Sequence, residues 1–229
     1  MVNLLKNVKV VLPTKNEAKA ITKVIKELKK VGFKKIVVID GNSTDGTREI
    51  AKKLGVPVIL DENKGKGTAI QIALNYIKNN ELLALMDADY TYSSMDLKKM
   101  VFFAKNFDVD VITGNRFCNA SLKSISLIRF IGNIFLTKIF NFLWGTDFPD
   151  LCSGIRVLKS EICKKITLDS NGFDIEAELN AKIIYNKGKV KYVPIKYRPR
   201  VGKSKLQLRH GILILLRIIK DFCKLKVFK

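Results

Sequence analysis

Two carboxylates one residue apart, Asp87-Ala88-Asp89, close an apolar run that ends at Met86. On a continuing strand, side chains at i and i+2 point to the same face, so this spacing can hold a hard divalent cation through oxygen. Mg2+ or Mn2+ bound in this way keeps positions open for phosphate oxygens. Two further polar clusters, Thr14–Glu17 and Asp40–Asp45, also follow apolar runs. Each has a local reading as well: Glu17 suits the first turn of a capped helix, and Ser43, Thr44 or Asp45 suits a turn and cap. A single histidine argues against a His-ligated metal or a Ser-His-Asp triad. The cysteines, at 118, 152, 163 and 223, form no CxxC pair, which points to a reducing compartment.

The elements that must position these groups alternate in period. Val8–Pro13, Lys35–Asp40, Pro57–Leu60, Leu82–Asp87 and Val109–Gly114 read as strands. Between them Ala18–Lys30, Thr47–Leu54, Thr68–Ile77 and Asp96–Lys105 carry helical periodicity. Such alternation builds a parallel sheet covered by helices, and ligands bind beyond the carboxyl ends of its strands, where the polar clusters fall. After Arg116 the pattern changes. Ser124–Trp144 reads as an apolar helix with a polar stripe of Arg129, Asn133, Thr137 and Asn141. Residues 153–159 and Lys189–Ile195 read as strands, Asp174–Asn186 and Leu206–Leu225 as amphipathic helices. The last helix sets Leu206, Ile212, Leu213, Leu216, Ile219, Phe222 and Cys223 against a charged side of Arg217, Lys220, Asp221 and Lys224. One α/β domain over residues 1–205 with a C-terminal basic helix over 206–229 is the economical organisation.

The chain has 229 residues, 47% of them hydrophobic, which excludes a disordered polycation. Its net charge is +21, yet residues 182–229 alone hold 15 basic side chains and one acidic one. That tail seeks polyanions: nucleic acid, an anionic membrane surface or a phosphorylated ligand. No run reaches the ~18–20 uninterrupted apolar residues that span a bilayer, and the N-terminus has no cleavable signal pattern. A cytoplasmic protein, peripheral at the cytosolic membrane face, is expected.

The motifs, taken in order, resemble a known family. Leu12-Pro13-Thr14-Lys15-Asn16-Glu17, Val38-Ile39-Asp40-Gly41-Asn42-Ser43-Thr44-Asp45-Gly46-Thr47, Asn63-Lys64-Gly65-Lys66-Gly67 and Met86-Asp87-Ala88-Asp89 are similar to family 2 glycosyltransferases of GT-A fold. Gly114-Asn115-Arg116-Phe117, Asp150 to Arg156, Gly172-Phe173-Asp174-Ile175-Glu176 and Arg200 to Leu206 resemble the polyprenyl-phosphate branch, of which dolichyl-phosphate mannosyltransferase is a member. The resemblance implies a Rossmann-like, mostly parallel GT-A sheet. It also implies transfer of a hexose such as mannose or glucose from a GDP- or UDP-sugar. Pro13, Thr14, Glu17 and Ala88 would meet the donor, with Asp40 or Asn42 at base or ribose. Asp87 and Asp89 would hold Mg2+ or Mn2+ on the diphosphate. Arg200, Lys205 and Lys66 would add positive charge, and Arg116, Arg129, Asn133 and Ser153 would meet the lipid phosphate. Thr91 stands where relatives often carry Gln, a weaker contact to metal or phosphate. Lys15 stands where an aromatic residue is common, which leaves the base open.

The acceptor decides whether a base is needed. A hydroxyl must lose a proton to a carboxylate, whereas a phosphate monoester, with a second pKa of about 6, is already anionic. Asp150 is therefore either a base for a hydroxyl acceptor or a structural partner of Ser153 and Arg156. Three functions compete: transfer to a polyprenyl phosphate, transfer to a glycan or protein hydroxyl, and a non-enzymatic polyanion- or membrane-binding module. No nucleic-acid-binding signature supports the third as a nucleic-acid binder. A nucleotidyltransferase would need a Gly-rich loop after the first strand. Many relatives continue into membrane helices, so the membrane surface or a small membrane subunit is expected to anchor this chain.

Overall fold

A computed structural model describes residues 4–62, 64–119 and 125–227. Asn63 of the Gly-Lys-Gly motif and Ser124 at the expected helix start lie outside them, as do Phe228 and Lys229 of the tail. The chain runs β1 (Val8–Thr14), α1 (Ala18–Val31), β2 (Lys35–Asp40), α2 (Thr47–Lys53), β3 (Val58–Leu60), α3 (Lys66–Asn75), β4 (Leu82–Leu85), α4 (Ser94–Asn106) and β5 (Val111–Asn115). It continues through α5 (Leu127–Trp144), β6 (Arg156–Lys159), α6 (Ser160–Lys165), α7 (Ile175–Tyr185), β7 (Val190–Pro194) and α8 (Leu208–Phe222).

The seven strands form one sheet in the order β3-β2-β1-β4-β6-β5-β7. β1 pairs in parallel with β2 on one side and β4 on the other, so strand order reverses between β1 and β4. This reversal opens a crevice at the strand ends, the place where doubly wound sheets bind ligands. β6 is antiparallel to both neighbours, β4 and β5, which makes the sheet mostly rather than wholly parallel. Alternate residues of β1 serve opposite faces. Val8, Val10 and Leu12 pack with α1 and α4, and Val11 packs with α3, α6 and α7.

A third apolar cluster joins α5, α7 and α8 through Leu136, Phe140, Trp144, Ala177, Ile214 and Ile218. The polar stripe on α5 faces inward here. Asn133 and Thr137 are buried, the Thr137 hydroxyl accepts from the Leu151 amide at 3.2 Å, and Asn141 holds both the amide and carbonyl of Phe148. The outer side of α5 is apolar instead, with Leu127, Ile128, Ile131, Phe135 and Phe142 exposed. Among the described residues α5 is the one helix long and apolar enough to cross a membrane by length and composition.

On α8 the charged side divides, with Lys220 and Lys224 left outside. Arg217 and Asp221 turn toward α7, while Leu208, Ile212, Leu213, Leu216 and Ile219 are exposed. The reason is the ion cluster beneath the helix: the Arg217 guanidinium donates to Asp169 and Asp174, and the last bond spans 2.8 Å. These bonds turn Arg217 inward and leave the apolar stripe outside.

Candidate active site

The strand ends on either side of the β1–β4 crevice wall a cavity of roughly 900 Å3. Pro13, Thr14 and Glu17 enter from β1 and the first turn of α1, and Asp87, Ala88 and Asp89 enter after β4. The pairing of β4 stops at Leu85, earlier than expected, so Asp87 and Asp89 lie on a turn rather than on a continuing strand. Tyr90, at φ 70°, completes that turn. The two carboxylates therefore take different partners. Asp87 accepts an ion pair from Lys66 Nζ at 2.8 Å, and Asp89 from Arg200 Nη1 at 2.8 Å.

Close backbone approaches fix these groups. A Cβ on Gly154 would sit 2.3 Å from Asp87 Oδ2, so glycine lets the segment before β6 pass this close to the carboxylate. A Cβ on Gly67 would lie 2.0 Å from the Ser170 carbonyl oxygen. The Gly67 amide donates to the Asn171 carbonyl at 3.0 Å, which pins the start of α3 and Lys66 with it. Lys66 also pairs with Glu176 Oε1 at 2.7 Å. Burial by itself lowers the Lys66 pKa, but Asp87 and Glu176 outweigh it and hold the ammonium charged.

Glu17 sits at the centre of the cationic side. Both Arg200 and Lys205 pair with its Oε1. Its pKa is raised, first by burial and then against the opposing pull of Lys205 and Arg200. Asp89 is also raised, by burial and by the nearby Asp87 charge. A cation shared with Asp87 would relieve that cost at Asp89. Both donors are hard oxygens, and among the described residues no third His, Cys, Asp or Glu joins them. Asp87 and Asp89 thus fit Mg2+ or Mn2+ that completes its shell with water and phosphate oxygen. Thr91 stands behind this pair: its amide and hydroxyl both donate to Asp89 Oδ1, and it is buried outside the cavity wall.

The loops after β1 and β2 are stitched together. Ser43 donates from amide and hydroxyl to the fully buried Asp40 carboxylate, and its hydroxyl accepts from the Asn16 amide at 2.8 Å. Thr47 accepts from the Glu17 amide at 2.9 Å. Asp40 therefore braces the loop and lies outside the cavity wall. Asn42 is exposed at φ 59°, and Gly41 between them lines the cavity.

At the other end Arg116, Arg129 and Asn133 line the wall together. Arg129 donates to the Leu206 carbonyl at 3.0 Å, tying α5 to the segment that carries Lys205. Asp150 is fully buried behind them. It receives Nε and Nη2 of Arg116, each at 2.7 Å, and Asn133 Nδ2 at 2.9 Å. The partners expected from sequence, Ser153 and Arg156, belong elsewhere. Arg156 donates to Asn180 and to the Leu151 and Ser153 carbonyls, and the Ser153 hydroxyl is buried outside the cavity. Burial would raise the Asp150 pKa, but Arg116 overrides it and the carboxyl stays below its usual range.

Sequence reasoning passed over Glu176, Asp61 and Tyr197, which also line the cavity. Glu176 had a signal, since it lies in the quoted Gly172–Glu176 motif in the first turn of α7. Asp61 had none, because a lone acid after a three-residue strand reads as a turn.

The family model described as "Glycosyl transferase family 2" matches residues 9–167. The chain is 34% identical over 214 residues to "Glycosyltransferase AglJ" of Haloferax volcanii, covering 92% of this chain and 70% of that protein. It is 31% identical to a "Dolichyl-phosphate hexose transferase" of the same organism, covering 86% of this chain and 85% of that one. Among solved structures, glucosyl-3-phosphoglycerate synthase from Mycobacterium tuberculosis, in complex with Mn2+, UDP-glucose and phosphoglyceric acid, aligns with a TM-score of 0.75 at 17% identity. That alignment covers 95% of this chain and 78% of the other, and it assigns the GT-A fold.

Proposed function

Since the chain belongs to glycosyl transferase family 2, we propose that it transfers a hexosyl group from a nucleotide-sugar to a polyprenyl phosphate, with inversion. The observation that carries the acceptor is the Arg116–Arg129 end of the cavity. Its cations adjoin Ile128, Leu136, Leu208 and Ile214, which lead onto the exposed apolar faces of α5 and α8. An anionic head on a hydrocarbon tail matches that combination, and a relative is named for a dolichyl-phosphate acceptor.

Arg200 and Lys205 neutralise the donor diphosphate, exchanging their present bonds to Asp89 and Glu17 for phosphate oxygens. Lys66 supplies a further charge at the N-terminus of α3, where backbone amides also favour anions. Asp87 and Asp89 would hold Mg2+ or Mn2+, which would supply Lewis-acid stabilisation of the leaving diphosphate. Arg116 and Arg129 orient the acceptor phosphate. Its oxygen forms the new bond to the anomeric carbon as the bond to the diphosphate breaks. That oxygen is already anionic, so no base is required. Asp150, with its lone pairs held by Arg116 and Asn133, is a positioning residue in this scheme, which counts against the hydroxyl-acceptor reading. The apolar faces of α5 and α8 rest on the cytosolic surface of the membrane beside the cavity mouth.

The test incubates the protein with a panel of nucleotide-sugars, a polyprenyl phosphate and Mg2+ or Mn2+. A glycosylated lipid is expected, and its formation should stop with EDTA. Arg129→Ala should raise the acceptor KM by about tenfold or more with a much smaller change in kcat. Unchanged lipid-phosphate kinetics would remove the acceptor assignment.

A further inference from the structure

Lys66 is the first residue of α3, and its place is set by a loop that arrives from far along the chain, residues 169–172. Besides the bond from the Gly67 amide to Asn171, the Thr68 hydroxyl donates to Asn171 Oδ1 at 3.0 Å. Gln71 Nε2 donates to the Ser170 carbonyl at 2.8 Å. The two segments leave no room for side chains between them: a Cβ on Gly65 would lie 2.4 Å from the Asn171 carbonyl oxygen. A shift of the loop therefore carries the start of α3, and Lys66, with it. What holds the loop is Glu178. Its two carboxylate oxygens accept separately from the Asp169 amide at 2.9 Å and the Ser170 amide at 2.8 Å. An acid in the first turn of a helix complements the helix dipole, but an exposed one would do that equally well. Glu178 is instead fully buried, a costly place for a carboxylate unless it is bonded in this way.

We infer that Glu178 is a positioning residue for the transfer: through the backbone of Asp169 and Ser170 it holds the loop against α3 and so aims Lys66 at the donor's diphosphate. This rests on the role given to Lys66 above and names what that role depends on. Residues two apart on a helix do not face each other. Glu176 accordingly reaches Lys66 directly at 2.7 Å, while Glu178 turns to the loop and lies outside the cavity wall. α7 thus supports one ammonium along two routes. The loop is also held from α8, where Arg217 pairs with Asp169 and Asp174 and lies 3.8 Å from Glu178. Accuracy matters at such a group, since a misplacement of about 1 Å can cost as much as a hundredfold.

The experiment is a double-mutant cycle on the full chain, read by calorimetric titration with inorganic pyrophosphate in Mg2+. Lys66→Ala should weaken pyrophosphate binding about tenfold. Glu178→Gln replaces one acceptor oxygen by an N–H donor that opposes a loop amide, and should weaken binding at least about threefold. In the Lys66→Ala background the same substitution should change affinity by less than about 1.5-fold, because the two residues act as a unit. A purely structural Glu178 would lower the melting temperature and either spare pyrophosphate or weaken it equally in both backgrounds. Either result overturns the inference. If Glu178→Gln fails to fold, Thr68→Ala with Gln71→Ala removes the side-chain ties between α3 and the loop. That variant should show the same dependence on Lys66, and undiminished binding in it would overturn the inference as well. A loss in Lys66→Ala without one in Glu178→Gln removes only the positioning residue. Unchanged binding in Lys66→Ala, or none in the wild type, removes the diphosphate role of Lys66 and the inference with it.

Discussion

Carboxylates of identical chemistry take different roles in this molecule because of what each one faces. Asp87 and Asp89 line the cavity in contact with Lys66 and Arg200, while Asp150 is sealed under Arg116. Losing one member of a buried ion pair leaves the other uncompensated, at a cost of about 3–5 kcal/mol. Asp150→Asn should accordingly lower the melting temperature by roughly 6 °C or more for a domain of this size. It should also raise the acceptor KM through a misplaced Arg116. The pH–rate profile should keep its shape, because no proton passes through Asp150. An unchanged melting temperature with a lost acidic limb, the fall in rate as a base takes up its proton, would instead make Asp150 the base.

Elements carry the next level of control, and α8 is the clearest case. Its Asp221 is buried against α7, 3.7 Å from Arg217, with Glu178, Asp169 and Lys182 also facing it. Burial pushes the Asp221 carboxyl up to about 6, against the pull of Arg217. The folded state therefore holds this proton more tightly than the unfolded chain does. Its contribution is most favourable below about pH 4, declines as pH rises through about 6, and is flat beyond. Asp221→Asn should remove that decline and raise the melting temperature at pH 7.5 by about 2–4 °C, after discounting for nearby solvent. Melting curves between pH 4.5 and 7.5 check this, and an unchanged slope would show that another group titrates. The placement of α8 itself was not readable from its pattern. Periodicity separated an apolar from a charged side, but the Asp169–Asp174–Arg217 network decided which side went inward.

The whole molecule presents α5 and α8 as one apolar surface beside the cavity mouth. Phe142 is 87% exposed, and Leu216 is more than half exposed on the neighbouring helix. Burying a large apolar side chain in a membrane interface contributes about 1.5–3 kcal/mol. The double variant Phe142→Ser with Leu216→Ser should therefore lose more than about tenfold in vesicle affinity. Neither side chain lines the cavity, so turnover of a water-soluble, short-chain acceptor should stay near wild type. Sedimentation with anionic vesicles provides the measurement. Undiminished binding would assign the surface to a protein partner, such as the expected anchoring subunit.

The βαβ order, the strand-end clusters and the run of motifs were all readable from the chain, because periodicity and turn chemistry act over a few residues. The antiparallel β6, the inward polar stripe of α5 and the early end of β4 were not, since each depends on a neighbour brought from elsewhere. The same holds within the site. Arg200 meets Glu17 across 183 positions, and Arg116 meets Asp150 across 34. Residue type and spacing nominated Asp40, Asp87 and Asp89, and the family resemblance added Asp150. Folding withdrew Asp40 and Asp150 behind Ser43 and Arg116 and brought Asp61 and Glu176 to the wall. Which acids face a ligand is set by long-range pairing and burial, and those exist only in the assembled fold.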